Sequence, residues 1–199
     1  FKALHGAASF MMGRWAEAVD DFSHPSLAGV EEAAFWRALA QAELGQPELQ
    51  AQTVRDFGGV LDGYPRAIKV PLALQAAQIV MQTGDDQATN TFLAAAEAED
   101  NTPHEKAAIT YINGKQAEMS GNYEGAVEKW GTLEDSSDRY YRALATRDRL
   151  ELLSRMEQLD RPNLIKGLER LRFAWRGGPF ELGLLMRLGD LYSDEKEYG

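Results

Sequence analysis

Residues 121–130 read Gly121-Asn122-Tyr123-Glu124-Gly125-Ala126-Val127-Glu128-Lys129-Trp130, and residues 13–22 read Gly13-Arg14-Trp15-Ala16-Glu17-Ala18-Val19-Asp20-Asp21-Phe22. At matching offsets each has a turn glycine, an aromatic two residues later, an Ala-Val pair and a second aromatic four residues beyond the alanine. Positions four apart share one face of a helix. The alanine lets a neighbouring helix approach, and the aromatic fills the hollow beyond it. Ala88 and Phe92 repeat that pair after Gly84. Self-similarity at this spacing indicates stacked units of supersecondary structure.

Outward from these stretches, punctuation falls at residues 23–29, 45–47, 58–65, 83–85, 100–103, 120–122, 135–138, 160–162 and 177–179. The segments between are rich in Ala, Leu, Glu, Gln and Arg, which lose little rotamer freedom in a helix. Phe35, Leu39 and Ala42 recur at spacings of three and four, and two-residue alternation over a strand length is absent. The pattern predicts an all-α chain of about eleven helices and no sheet. Thr102-Pro103-His104-Glu105 has the form of a capping box with proline at the first helical position. Pro47, Pro71 and Pro179 are likewise expected at helix starts, where a missing N–H costs nothing.

Near the end, Leu185-x-x-Leu188-Gly189-x-x-Tyr192 matches the first-helix signature of the tetratricopeptide repeat family, with Leu in place of the usual Trp. Lys196-Glu197-Tyr198 resembles the turn and corner aromatic that follow, and Gly114 stands where Gly189 does. The chain thus resembles tetratricopeptide repeat proteins over nearly its whole length. The resemblance implies an α-α superhelix, a solenoid of antiparallel helix pairs in one array, with units at about 1–25, 28–64, 68–100, 103–135, 138–176 and 179–199. Turn marks at Gly13, Gly45, Gly84, Gly121, Asp160 and about Lys196 are 32, 39, 37, 39 and 36 residues apart, against a family period of about 34. The second and fifth units depart from the pattern, offering Thr53 with Phe57 and Gly167 with Leu171 for the Ala-aromatic pair. The frame begins partway into one first helix and stops where a second helix is due, so a fragment of a longer array is expected. Such a piece would expose apolar ends able to self-associate.

The family usually binds partners on the concave surface formed by the first helix of each pair. Carried over through the turn glycines, this implies groove-facing Glu32, Phe35, Leu39 and Glu43 in the second unit. Tyr111, Lys115, Glu118 and Met119 are implied in the fourth, and Met186 and Asp190 in the last. Family modules that clamp acidic chaperone tails use Lys, Asn and Arg there. Phe35, Leu39, Tyr111 and Lys115 depart from that set and argue against such a clamp.

Composition removes several function classes. The formal charge is −10, which disfavours duplex nucleic acid as partner. There is no cysteine, so disulfides and thiolate metal sites are excluded. No run approaches the roughly 18 apolar residues of a membrane span. His5, His24 and His104 fall in no metal-binding spacing, and nucleophile-elbow, dinucleotide and P-loop glycine patterns are absent. The acidic residues Glu97, Glu99, Asp100, Glu134, Asp135 and Asp138 read as solvated helix ends. Trp15, Trp36, Trp130 and Trp175 read as plugs between helices. No catalytic residue, metal site or cofactor is expected.

Charge is uneven. Residues 1–138 hold 9 basic and 21 acidic groups, 139–176 hold 10 and 5, and 177–199 hold 2 and 5. The basic band comprises Arg139, Arg142, Arg149, Lys166, Arg170, Arg172 and Arg176, and it is matched to an acidic partner segment or the acidic half of another copy. The alternative is neutralisation within the chain by Glu151, Glu157 and Glu169. The function expected from sequence is a non-catalytic scaffold that binds a protein or peptide. The other readings are a self-associating element of a bacterial envelope protein and the regulatory arm of a multidomain enzyme. Ala-rich, Cys-free composition leans to a bacterial source and to the envelope over the cytoplasm.

Overall fold

In a computed structural model the described residues are 1–175 and 178–197, with side chains described to residue 193. They form eleven α-helices and no strand, as the periodicity predicts. These are α1 Lys2–Met11, α2 Trp15–Phe22, α3 Glu31–Glu43, α4 Pro47–Phe57, α5 Arg66–Met81, α6 Asp86–Glu97, α7 Pro103–Met119, α8 Tyr123–Gly131, α9 Arg139–Arg155, α10 Arg161–Leu171 and α11 Gly178–Glu197. Short 3-10 turns occupy Pro25–Leu27 and Gly58–Gly63. The chain divides into two compact units, Phe1–Asn101 and Thr102–Gly199.

Within each unit, successive helices pack as hairpins. A Cβ on Gly6 would touch Phe22, while Phe10 packs edge-on to Trp15 at 4.9 Å. As one helix is followed forward its partner is met backward, so α1 and α2 are antiparallel. The turns between them share one device. Gly13, Gly45, Gly84 and Gly121 all have φ between 71° and 107°, the left-handed region that ends a helix at low cost only for glycine. At the fifth such turn the left-handed residue is Glu157, with φ 59°. Asp160, expected as that turn mark, is instead the N-cap of α10, accepting the Asn163 N–H at 2.9 Å. Glu157→Gly removes the Cβ clash and is expected to stabilise the chain by about 0.5–1 kcal/mol after glycine's extra chain entropy. A melting temperature that stays put or falls would contradict that.

Two further expectations are corrected. Pro71 lies inside α5, which begins after Pro65. The N–H it lacks would have bonded the Ala67 carbonyl, and both residues are exposed, so water can serve that group. The turn expected at Lys196 is helical, because α11 runs on to Glu197; Gly177, Tyr198 and Gly199 lie outside the described residues. The capping box is present: Glu105 accepts the Thr102 N–H at 2.7 Å and Thr102 accepts the Glu105 N–H at 3.3 Å.

Small residues set the helix spacing. Ala18 and Ala126 are fully buried and stand four residues after the N-caps Arg14 and Asn122. Counting likewise from the N-cap Asp85 reaches Thr89, also fully buried, rather than the expected Ala88, which is half-buried. Phe92 is buried nonetheless, against Gly58, where a Cβ would lie 2.6 Å from its ring. Trp36 and Trp130 are core residues as read from sequence. Trp15 is only half-buried, and Trp175 is 37% exposed, so it does not plug the core. Its ring meets Tyr140 edge-on at 5.1 Å.

Candidate partner-binding surfaces

The first helices of the hairpins run parallel within each unit, and their side chains show it. In the N-terminal unit Glu32 accepts from Tyr64 and Glu43 from Gln75, both pairs separated by 32 residues. In the C-terminal unit Tyr111 donates to Asp148 and Arg155 to Glu118, both separated by 37. A constant offset means two helices side by side in one direction and in register. Arg187 extends the series, donating twice to Glu151 at 2.8 and 2.9 Å.

Between α1 and α3, beside the start of α5, lies a groove of about 420 Å³. Its α1 wall is Leu4, Ala7, Ala8 and Met11, a stripe at helical spacing, with Leu4 79% and Met11 55% exposed. The opposite wall holds Trp36, Tyr64 and Ile68. Trp36 is fixed by Phe10 at 5.0 Å and Phe22 at 5.9 Å, and donates its Nε1–H to the Tyr64 hydroxyl at 2.7 Å. That hydroxyl in turn donates to Glu32. Burial, then the Glu32 carboxylate, pushes the Tyr64 phenol up to about 12, so it stays a neutral donor. A second hollow of about 420 Å³ lies between the Gly58–Gly63 turn and α6, where Arg55 is held by Asp85 and Thr83.

The equivalent face of the C-terminal unit is polar. Asp148 is buried and accepts from Tyr111 at 2.6 Å and Arg147 at 2.7 Å, with Lys115 Nζ 3.8 Å away. Lys115 also pairs with Glu118 at 2.6 Å and lies over the Trp130 ring. Burial and Asp148 raise the Tyr111 phenol far above its usual value.

Of the residues expected to face a groove, Phe35 and Leu39 do not, being fully buried. They form the stripe of α3 that packs on its own neighbours. Glu32 lines the groove and Glu43 is exposed beyond it. Tyr111, Lys115 and Glu118 are brought together as the network just described. Met119, Met186 and Asp190 are exposed and outside it.

The basic band is partly consumed inside the chain. Arg139 donates to the Ala174 carbonyl, Arg142 to the Ser136 carbonyl, and Arg149 to Glu134. The neutralising partners differ from those expected, since Glu151 serves Arg187 and Glu169 accepts from Tyr192. Lys166, Arg170 and Arg172 are exposed with no ion pair among the described residues, and Arg176 lies outside them. Glu99, Glu134 and Asp138, read as merely solvated, bind Lys69, Arg149 and His104.

Two histidines are each paired with an aspartate. His5 binds Asp21, which also takes Lys2 at 2.6 Å, and His104 binds Asp138 at 2.7 Å. Ser9, one turn after His5, donates instead to Glu17. No group of three His, Cys, Asp or Glu residues among those described could hold a metal ion. No described helix is long and apolar enough to cross a membrane. Compared with known proteins, the chain matches no family model and no curated sequence.

These carboxylates make stability depend on acid. Asp21 is held below its usual value by the His5 hydrogen bond and then by Lys2. Burial pushes Asp138 and Glu118 up, but the Tyr141 N–H and His104 for the first, and Lys115 and Arg155 for the second, leave both lowered. A lowered folded value stabilises above the unfolded value of about 4 and is lost as pH falls through the folded one. The melting temperature is expected to drop as pH falls below about 4. Asp138→Asn should make that drop shallower; an unchanged acid limb would contradict it.

Proposed function

We propose that the chain is a non-catalytic scaffold of tetratricopeptide type that binds a peptide segment of another protein. The observation that carries this reading is the groove between α1 and α3. An exposed apolar stripe on α1 faces a wall whose Trp36 and Tyr64 are locked in place by hydrogen bonding. Preformed apolar walls with a few oriented polar groups are the usual construction of a binding site, and a rigid aromatic loses little freedom when a ligand arrives. The internally satisfied face of the C-terminal unit serves a different end. There the charges brace one first helix to the next.

The reading is tested with ligands selected from a random peptide display library against the whole chain. The double replacement Leu4→Ser with Met11→Ser changes only exposed side chains, so the fold is expected to persist. Selected ligands should lose at least about tenfold in affinity, the equivalent of burying roughly two methylenes or more. Ligands that bind the double variant as tightly as the parent would remove the proposal.

A further inference from the structure

We propose that the occupant of the α1–α3 groove is an amphipathic helix whose polar flank is basic, with one Lys or Arg pairing with Glu32. This rests on the groove being the binding site and names what it accepts. The walls are mostly helical, and beyond the first turns of α1 and α3 their backbone groups are paired within the helix. They offer an incoming chain no sheet edge. An extended peptide pressed against them would bury main-chain N–H and C=O groups with no partner, at a cost that apolar contact does not recover. A helix satisfies its own backbone and presents only side chains. Ala7 and Ala8 leave a shallow middle on the α1 wall between the larger Leu4 and Met11, the relief into which a ridge of another helix fits.

Charge decides the flank. Glu32 is the one formal charge among the groove-lining residues, and its partner among the described residues is the Tyr64 hydroxyl rather than a cation. Its carboxylate accepts from Tyr64 with one oxygen, leaving the other for a donor. Residues 1–101 as a whole hold 6 basic and 14 acidic groups. The same face of a second copy would bring like charge against like, so a distinct basic segment is favoured over self-pairing.

The experiment uses the full chain and three synthetic sixteen-residue probes with blocked ends. All carry Leu at positions i, i+3, i+4 and i+7; the first has Lys on the polar face, the second Glu, and the third is the Lys peptide with a central proline. Binding is read by fluorescence anisotropy at about 150 mM salt, where long-range attraction is screened beyond roughly 8 Å. The Lys helix should bind at least about tenfold more tightly than its Glu twin. The proline version should bind weakly, and Glu32→Gln should cost the Lys helix about two- to fivefold, the range of a partly exposed ion pair. If the Glu twin binds as well, Glu32→Gln changes nothing, or the proline peptide is equivalent, while Leu4→Ser with Met11→Ser still weakens binding, the basic-helix inference falls and the groove stands. If no probe binds, the basic-helix inference falls; if that double variant binds every probe and the display-selected ligands as the parent does, the groove itself fails.

Discussion

Trp130→Ala is expected to destabilise the chain by about 3–5 kcal/mol, the range for removing a large buried aromatic. Trp130 is fully buried, stacks on Tyr111 and donates its indole N–H to the Tyr111 carbonyl at 3.2 Å. It lies against Gly114, where a Cβ would fall 2.6 Å from Cδ1 and closer still to Nε1. Because the obstructing atoms belong to a ring held on all sides, Gly114→Ala should cost about 2–3 kcal/mol through overpacking. The two effects are not additive. In a Trp130→Leu background the alanine has room, and glycine's poor helix propensity of about 1 kcal/mol then turns Gly114→Ala neutral or favourable. Denaturant unfolding of the four proteins measures the coupling. A penalty for Gly114→Ala that is the same in both backgrounds would contradict the packing account.

Asp148→Ala is expected to cost about 2–3 kcal/mol, for a reason that is electrostatic rather than steric. It leaves the half-buried Tyr111 hydroxyl without its acceptor and sets Arg147 and Lys115 facing each other without the carboxylate between them. The estimate sits below that for a fully buried pair because both cations are about a third exposed and water screens them. Asp148→Asn keeps an acceptor for the Tyr111 hydroxyl and should recover part of the loss, whereas Tyr111→Phe alone should cost about 1 kcal/mol. Equal losses for Asp148→Ala and Asp148→Asn would place the whole effect in charge and none in the hydrogen bond.

These residues also mark how far the sequence could be read. Helix content, the left-handed glycines and the Thr102 capping box were legible because each depends on neighbours within about four positions. So were Ala18 with Phe22 and Ala126 with Trp130, where spacing alone puts two side chains on one face. The rotation of α3 was not. The turn glycine locates a helix along the chain, but each residue turns it by about 100°, and the family frame brought Phe35 and Leu39 into the groove when they face the core. Their spacing of four, with Ala42, already marked a buried stripe.

The braces between helices were hidden for another reason. Glu118 with Arg155, Tyr111 with Asp148 and Glu151 with Arg187 stand 36 or 37 residues apart. Which acid meets which base depends on the register of two packed helices, and no local pattern encodes it. The signal that could have found them is the repeat itself, searched for opposite charges one period apart. The groove walls were hidden likewise. Leu4 and Met11 stand seven residues apart on one face of α1, and only the register of α1 against α3 places them opposite Trp36.

The six methionines allow the most direct test of the groove. Met11 lines it, Met81 is buried in the core, and Met119 and Met186 are exposed elsewhere. With methyl-labelled methionine, titration of a display-selected ligand is predicted to shift the Met11 resonance and leave those of Met81, Met119 and Met186 in place. Shifts confined to Met119 or Met186, with Met11 unmoved at saturation, would contradict the account.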